Sequence, residues 1–302
     1  MSTDRSSAAP LRAAVTAVGI VCALGEDLDE VRARIAAGES GVRALDIEGA
    51  PGATGAAVEG PNLRPWLTRR KDARLMARPS RLLLPAAARA LGDWAGDREG
   101  LGLFFGVGRE PADGGESNDA LSAMTDGARL DMARLAGRGR DLYPPLLPLK
   151  SLPNMALAHV SIQLGIRGPG GTFTGGPEAG VQALRDGIAA VAEGRCPAAL
   201  AGGTDAWVDA GALRDRARLG RSGPPGEAAV VLRLEPADAP GALFILERGR
   251  AGLDVPPDEP EHRAALGSCG AADGVLSLVI RQGDVIVGEA AGTCCEVRWI
   301  PC

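Results

Sequence analysis

The first hundred residues alternate between apolar stretches that suit strands and amphipathic stretches that suit helices. Residues 13–21 mix β-branched and small apolar side chains, which predicts a buried strand. Asp27 then offers an N-cap to a helix over Leu28–Ala37, and Gly38 closes that helix. A second helix is predicted over Ser80–Trp94. The apolar residues that share one face of this helix are Leu83, Ala87, Ala90 and Leu91.

The middle of the chain repeats this alternation with shorter strands. The run Leu101–Val107 is apolar and bounded by glycines, which predicts a strand buried on both faces of a layered α/β fold. The elements predicted after it are a helix at Pro153–Leu164, a strand at Thr172–Thr174, a helix at Pro177–Glu193, and strands at Ala198–Ala201 and Ala228–Leu234. Strand, helix and strand in this order imply a right-handed parallel crossover.

Other stretches have weaker patterns. Residues 49–65 are rich in Gly, Pro and Ala without periodicity, which predicts a surface loop. Residues 111–140 are polar and punctuated by glycines, which is typical of a surface excursion or a dimer-facing segment. The elements predicted at the C-terminal end are a strand at Leu243–Glu247, a Gly-rich turn at 267–274 that leads into a helix, and strands near Asp284–Gly288 and Cys295–Trp299.

The composition limits the partners that this chain can have. Its 302 residues are 45% apolar but only 3% aromatic, so a sizeable core is built from aliphatic side chains. The net charge of -5 argues against a nucleic-acid partner, because phosphate binding rests on clustered positive charge. The basic run Arg69–Lys71 is short and is interpreted as a solvated helix face.

The cysteines indicate a reducing compartment. They form no CxxC pair and have no histidine at the spacing of a metal site, so we expect reduced thiols, no metal and no cofactor. The six cysteines are Cys22, Cys196, Cys269, Cys294, Cys295 and Cys302.

The N-terminal apolar run raises the question of targeting. Ala13–Leu24 follows Arg5 and Arg12 and superficially resembles a signal peptide, but it contains Thr16 and Gly19 and lacks a convincing cleavage site. A buried strand and turn suits it better, and no other run approaches the roughly 18 apolar residues of a membrane span. We therefore expect a cytoplasmic protein without a membrane partner.

Four passages carry a resemblance to a known family. They are Ala14–Leu24 followed by Ala37–Val42, then Gly102–Gly108, then Leu152–Ala156 with His159 and Gly165–Pro169, and finally Ala201–Ala206. Together they resemble the β-ketoacyl synthases of fatty-acid and polyketide assembly over residues 12–235, with a remnant beyond. The resemblance implies a thiolase-like layered αβαβα fold, with a complete N-terminal half over residues 1–236 and a shortened C-terminal half over residues 237–302.

The position of the family's nucleophile is altered. A cysteine is expected three residues before a glycine, and counting back from Gly180 reaches Pro177, whereas counting forward from Thr174 reaches Gly176. A thiol at a helix N-terminus has a lowered pKa and supplies a thiolate for acyl transfer, which neither residue can do. Proline does suit the first turn of a helix. Glu178 is interpreted either as a helix-start residue or as a functional carboxylate.

The family's histidines are also altered. Gly267–Gly274 resembles the loop that carries a catalytic histidine, with Ser268 in the place of that histidine and Arg263 in the place of a supporting lysine. A second histidine segment is absent. Of the two histidines in the chain, His159 is interpreted as a packing residue, and His262, on a polar loop, as a solvated one.

These departures imply a non-catalytic subunit similar to the chain-length factors, which pair with an active ketosynthase. The partner is then a ketosynthase in a heterodimer, or a second copy in a homodimer, and acyl carrier protein is engaged indirectly. One alternative is an acyltransferase or hydrolase on the same scaffold that uses Cys269 or Ser268. Another is an acyl-binding homodimer without chemistry.

Overall fold

The computed structural model describes residues 9–108, 114–127, 129–218, 220, 223–253, 262–288 and 294–302. The strands are β1 (Arg12–Cys22), β2 (Arg43–Ala44), β3 (Thr54–Gly55), β4 (Gly102–Val107), β5 (Thr125–Asp126), β6 (Arg129–Leu130), β7 (Gly170–Thr174), β8 (Ala199–Ala206), β9 (Glu227–Pro236), β10 (Phe244–Leu253), β11 (Val285–Gly288) and β12 (Cys294–Pro301). The helices are α1 (Leu28–Ala36), α2 (Arg78–Leu91), α3 (Gly114–Met124), α4 (Met132–Arg134), α5 (Arg140–Leu142), α6 (Leu147–Lys150), α7 (Met155–Leu164), α8 (Pro177–Ala192), α9 (Ala210–Arg218), α10 (Arg263–Leu266) and α11 (Asp273–Arg281).

One mixed sheet organises these elements, in the order β11-β12-β10-β1-β9-β8-β4-β7. Strand β4 pairs in parallel with both β7 and β8, and the remaining pairs in this sheet are antiparallel. The chain therefore passes from β7 through α8 to β8, two parallel strands that flank β4. This is the parallel crossover that the sequence predicts.

The central strands β4, β8 and β9 are buried along nearly all of their length, which explains why their sequences are largely apolar. Alternate residues of β9 divide between two cores, with Val230 and Leu232 in one and Ala229 and Val231 in the other. The first core includes residues of α8 and α11, and the second includes residues of α2 and α7. The helices thus cover opposite faces of the sheet.

Helix α8 is enclosed on nearly all sides. Eleven of its residues are buried, and its contacts extend from β4 and β8 to β10, β11, β12 and α11. A helix that is apolar on most sides belongs in the interior of a fold. The C-terminal strands continue the sheet and complete the enclosure of this helix.

A buried arginine ties α8 to the C-terminal strands. Arg185 is only 4% exposed, and its Nη1 donates to the carbonyl oxygens of Gly249 at 2.8 Å, Arg250 at 2.9 Å and Glu296 at 2.7 Å. The first two acceptors lie where the register between β10 and β12 shifts. Carbonyl groups freed by this irregularity are therefore satisfied by a side chain of the helix.

Two predicted surface segments differ in their outcome. Residues 49–65 are less superficial than their composition suggests, because Ala56 and Val58 are buried and Ala56 pairs with Gly226. In the excursion, residues 111–113 and 128 lie outside the described residues, and helices α3, α4 and α5 pack mainly on the π-helical segment Leu135–Gly139. No helix within the described ranges is long and apolar enough to cross a membrane.

We predict that the change Arg185→Met lowers the free energy of unfolding by about 1–3 kcal/mol, since it leaves buried carbonyls of β10 and β12 without a donor. Urea denaturation measures the effect. The matched control is Arg195→Met, which removes an arginine paired with Glu193 at half-exposed positions and should cost less than about 1 kcal/mol. Equal losses in the two variants would contradict the role assigned to Arg185.

Candidate functional site

The turn between β7 and α8 forms an elbow that holds the position of the expected nucleophile. Gly175 and Gly176 make the turn, Gly176 is the N-cap, and Pro177 is the first helical residue. Proline is favoured there because its fixed φ suits the first turn and its missing N–H has no partner within the helix. The elbow is therefore built as predicted. It offers neither a thiol nor a backbone N–H at residue 177.

Glu178 lies in the first turn of α8 and folds back onto the elbow. Its Oε1 accepts a hydrogen bond from the backbone N–H of Gly176 at 2.9 Å. The carboxylate thus occupies the positive end of the helix, where an anion is favourable. In an active elbow this end stabilises a thiolate, and here it is already taken by a side chain of the same helix.

The loop 267–274 lies directly on this first turn. A Cβ atom at Gly180 would be 2.4 Å from the carbonyl oxygen of Ala271, and a Cβ atom at Gly203 would be 2.3 Å from the same oxygen. Only glycine fits such an approach at either position. The structure therefore brings the expected nucleophile segment and the expected histidine loop together.

Asp273 organises that loop from the first turn of α11. It is fully buried and accepts hydrogen bonds from the backbone N–H of Cys269 at 2.8 Å, from Arg263 Nη2 at 3.0 Å and from Ser268 Oγ at 3.3 Å. Burial acts to raise the pKa of Asp273, but its hydrogen bond and ion pair with His262, together with Arg263, outweigh burial and hold that pKa below its usual range. An ionised carboxylate is thus fixed beneath the loop.

The interpretation of His262 as a solvated residue is wrong. Its side chain is 1% exposed, and Nε2 lies 3.1 Å from Asp273 Oδ1. Nδ1 has no hydrogen-bond partner among the residues that the structure describes. The polar residues before His262 indicate a solvated loop, but its buried partner, Asp273, comes eleven positions later. The one sequence feature that points to such a partner is a charged residue just before the apolar run of α11.

The candidate nucleophiles of this loop are poorly placed for chemistry. Cys269 is fully buried, and its Sγ lies 3.4 Å from the carbonyl oxygen of Leu266. Burial, followed by the Asp273 charge, raises the pKa of the Cys269 thiol well above its ordinary value, which disfavours the thiolate. Ser268 directs its hydroxyl to the Asp273 carboxylate. Neither described nucleophile forms a hydrogen bond with the His262 ring, so the cluster lacks the nucleophile–base pairing of acyl-transfer sites.

Arg263 and His159 complete the residues singled out from the sequence. Arg263 is partly exposed and forms an ion pair with Asp273, so it faces the loop. His159 is buried in α7, where Nε2 lies 3.1 Å from the carbonyl oxygen of Leu75, and burial lowers its pKa. His159 is therefore part of the packing between α7 and the segment before α2.

A second buried carboxylate was missed by the sequence analysis. Asp205 ends β8, is fully buried, and accepts hydrogen bonds from Trp207 Nε1 at 2.8 Å and from the backbone N–H of Ala271 at 3.1 Å. It stands within the Ala201–Ala206 passage, but nothing in the passage shows that its side chain reaches the loop.

The described cavities lie away from the elbow. One, of about 700 Å³, is bounded by Asp119, Arg134, Arg138 and other residues of the excursion. A second, of about 390 Å³, is bounded by Trp66, Arg98, Gln163 and their neighbours. Within the described ranges, no group of three or more His, Cys, Asp or Glu side chains is arranged to hold a metal ion.

Comparisons with known proteins agree with this geometry. The family described as beta-ketoacyl synthase, N-terminal domain, matches residues 12–230. The chain is similar in structure to AntDE:AntF, a type II PKS acyl-carrier protein in complex with its ketosynthase bound to the hexaketide, with a TM-score of 0.74 and 15% identity over 96% of this chain and 99% of the other.

Two further structures have the same fold. The ishigamide ketosynthase/chain length factor matches with a TM-score of 0.69 and 19% identity, and a beta-ketoacyl synthase from Burkholderia phymatum STM815 matches with 0.71 and 16%. Each alignment covers 96% of this chain and 99% of the other. The prediction of a thiolase-like fold with a shortened C-terminal half is confirmed.

We predict that a cysteine introduced at the elbow reacts slowly with a thiol reagent while Glu178 is present. The Glu178 carboxylate competes for the helix N-terminus and disfavours a second anion there. Pro177→Cys should therefore react with iodoacetamide about tenfold more slowly than Pro177→Cys/Glu178→Gln. This factor corresponds to a thiol pKa that is about one unit higher when Glu178 is present. Neither variant should condense acyl groups, because no imidazole stands at position 268. The exposed Cys302 is an internal reference in both proteins.

Equal reaction rates at residue 177 in these two variants would show that Glu178 does not control the elbow. A measurable condensation rate from Pro177→Cys alone would reveal a base that the described residues do not show.

We also predict that the wild-type chain forms no acyl-enzyme with malonyl or acyl carrier protein substrates, since Cys269 is buried with a disfavoured thiolate. Intact-mass spectrometry after incubation with the acyl donor measures this, and the same protein unfolded in urea confirms that its thiols can be labelled. An adduct that disappears in Cys269→Ala would instead support the acyltransferase alternative.

Proposed function

The chain belongs to the β-ketoacyl synthase family, and on this premise we propose that it is a non-catalytic subunit, similar to a chain-length factor, that acts beside an active β-ketoacyl synthase in fatty-acid or polyketide biosynthesis. The observation that carries the proposal is the elbow, where Pro177 starts α8 and Glu178 caps Gly176. The geometry of a nucleophile site is retained there without a nucleophile. Condensation then depends on another chain.

The missing groups are those that the reaction needs. Decarboxylative condensation requires a thiolate that holds the acyl chain and imidazole donors that stabilise the enolate. Pro177 supplies no thiolate, and Ser268 is engaged with the Asp273 carboxylate. Removal of one acid–base group commonly costs roughly 10²- to 10⁴-fold in rate, so the joint loss leaves little activity.

The free edge of the sheet supports a protein partner. Within the described part of the chain, β7 pairs only with β4 and is the last strand in the order. An unpaired edge is a site for pairing with another chain and otherwise a risk of aggregation. We propose that this edge pairs with the ketosynthase subunit. A second copy of the chain on the same edge is the homodimer alternative.

Exposed apolar side chains of the excursion support the same proposal. Such side chains mark interaction sites when they gather in one region rather than scatter. The large apolar residues exposed in the excursion are Leu121, Leu130 and Met132, and those exposed between the excursion and α7 are Leu142, Tyr143, Leu146 and Leu152. We propose that they are covered by the partner and contribute to the wall of a shared acyl tunnel, with the acyl carrier protein engaged through the partner.

We propose that the chain has two halves. We place the boundary between a complete N-terminal half and a shortened C-terminal half at residues 236 and 237, in the connection from β9 to β10. We also propose a cytoplasmic location, in keeping with the buried free thiols and the absence of a membrane-spanning helix from the described ranges. The structures of a ketosynthase/chain length factor and of a ketosynthase with acyl-carrier protein share the fold and support the choice of partners.

We predict that Thr174→Arg abolishes copurification with the ketosynthase subunit proposed as the partner. Thr174 is exposed at the end of β7, and a bulky charge there blocks pairing of the edge. Phe173→Arg should do the same, but Phe173 also packs against the core, so Thr174 is the cleaner position. The matched control is Leu243→Arg, an exposed apolar position beside β10 on another part of the sheet.

Co-expression followed by affinity purification and light scattering measures the outcome. A well-folded wild-type monomer that binds no ketosynthase would contradict the proposal. A stable wild-type homodimer disrupted by Thr174→Arg, without ketosynthase binding, would favour the acyl-binding homodimer.

A further inference from the structure

Two buried carboxylates hold neighbouring amides of the loop 267–274. Asp273, on α11, accepts the N–H of Cys269, and Asp205, at the end of β8, accepts the N–H of Ala271. The loop is thereby fastened to the helix beneath it and to the sheet beside it. Its carbonyl at Ala271 in turn rests against α8 at Gly180. The contact of Asp205 thus joins the sheet to the segment that covers the elbow.

The carboxylate of Asp205 is tightly enclosed. Its Oδ1 accepts the N–H of Ala206 at 2.8 Å, and its Oδ2 accepts the indole N–H of Trp207 at 2.8 Å. A Cβ atom at Gly108 would lie 1.7 Å from Oδ2, and one at Gly270 would lie 1.9 Å from it. Gly270 has a φ of +49°, which glycine adopts without strain. Backbone just after β4, at the end of β8 and in the loop therefore surrounds the carboxylate, which is fully buried.

Only one of the two carboxylates has a cationic partner among the described residues. Asp273 has ion pairs with His262 and Arg263, whereas no lysine, arginine or histidine nitrogen of the described residues forms an ion pair with Asp205. Ionisation of a buried group without a cation is costly, and a second ionised carboxylate nearby adds to the cost. A proton taken up by this pair therefore goes to Asp205.

The other groups that face this region come from every element packed around it. On β9, Glu227 is fully buried and paired with Arg78. On the loop, Cys269 is a buried thiol whose pKa is raised. On α9, the Arg216 guanidinium lies 6.0 Å from the Trp207 ring and donates to the carbonyl oxygen of Gly223. Neither arginine forms an ion pair with Asp205. Among the described residues, the ionised form of Asp205 is therefore stabilised by the three N–H donors.

We propose that Asp205 is a proton-controlled latch between the sheet and the loop 267–274, which stays closed when Asp205 is protonated and opens more readily as the pH rises. Burial raises the pKa of Asp205 to about 7, while the N–H donors of Trp207, Ala271 and Ala206 oppose that rise and the Asp273 charge adds to it. In the open loop the carboxyl is hydrated and returns toward its ordinary pKa. Opening therefore releases a proton and is favoured by higher pH.

The direction of the effect follows from this linkage. Between the ordinary pKa of the carboxyl and its value in the closed loop, the closed state holds a proton that the open state does not. The population of open loop should therefore increase up to about tenfold for each pH unit over this interval and become constant above about pH 7. This inference concerns the chain alone and does not depend on the partner proposed above.

Hydrogen–deuterium exchange of the purified chain tests the latch. Peptides spanning residues 268–274 are followed by mass spectrometry from about pH 5 to about pH 8, with exchange corrected for the intrinsic rate of an unstructured chain. We expect protection in the wild type to fall by at least about tenfold between pH 5 and 7 and then level off. In Asp205→Asn the pH dependence should disappear.

The matched control is Asp284→Asn, which removes a carboxylate that accepts the backbone N–H of Trp299 at an exposed site and should leave the wild-type pH dependence of the loop unchanged. Protection of the wild-type loop that stays constant or rises across this range overturns the proposal, whether or not Asp205→Asn folds. A wild-type slope that persists in folded Asp205→Asn also overturns it, because another group would then carry the proton.

Discussion

The enclosure of α8 is the constraint on which the rest of the structure depends. This helix contacts the sheet through β4 and β8, and it also contacts the C-terminal strands and α11. Such a helix is stabilised by burial, at roughly 25 cal/mol per Å² of apolar surface, but its polar groups and close contacts must be matched by every neighbour. Glycine at residues 180 and 203 permits the approach of the loop, and Arg185 satisfies the carbonyls of an irregular strand pair.

Because α8 is held from all sides, the elbow at its N-terminus is a well-formed turn although Pro177 offers no thiol. Pro177 suits the first turn and Glu178 caps Gly176, so both residues satisfy a local requirement of a helix start. The residues of the loop 267–274 and its flank also satisfy local structural requirements. Ser268 and Arg263 both donate hydrogen bonds to Asp273, which anchors the loop.

The protonation of the acidic groups around the loop is governed by their burial. Three carboxylates, Asp205, Glu227 and Asp273, are fully buried around the loop, and two of them have cations within ion-pair distance. A buried charge is tolerated when it is paired and hydrogen-bonded. Asp205 relies on N–H donors instead, which makes it the group whose protonation is most closely linked to the position of the loop.

Much of the fold could be predicted because local periodicity reports directly on burial. The strand β4, the helix α8 and the elbow between β7 and α8 all lie where the patterns place them, and the family resemblance supplied their arrangement. The prediction of a surface loop at residues 49–65 is wrong for Ala56 and Val58, which are buried. Ala56 pairs with Gly226, a residue just before β9 that is distant in the sequence. Composition carries no information about such a pairing.

The sequence by itself determined the family, the order of the main elements and the absence of a nucleophile at residue 177, because these properties are written in residue identity and short-range spacing. Only the tertiary structure decided that His262 is buried, that Asp273 binds Ser268, Arg263 and Cys269, and that Asp205 reaches the loop. Each of these facts depends on which segments the sheet and α8 bring together. A side chain acquires its charge partners and its solvent exposure from those neighbours and not from its own position in the chain.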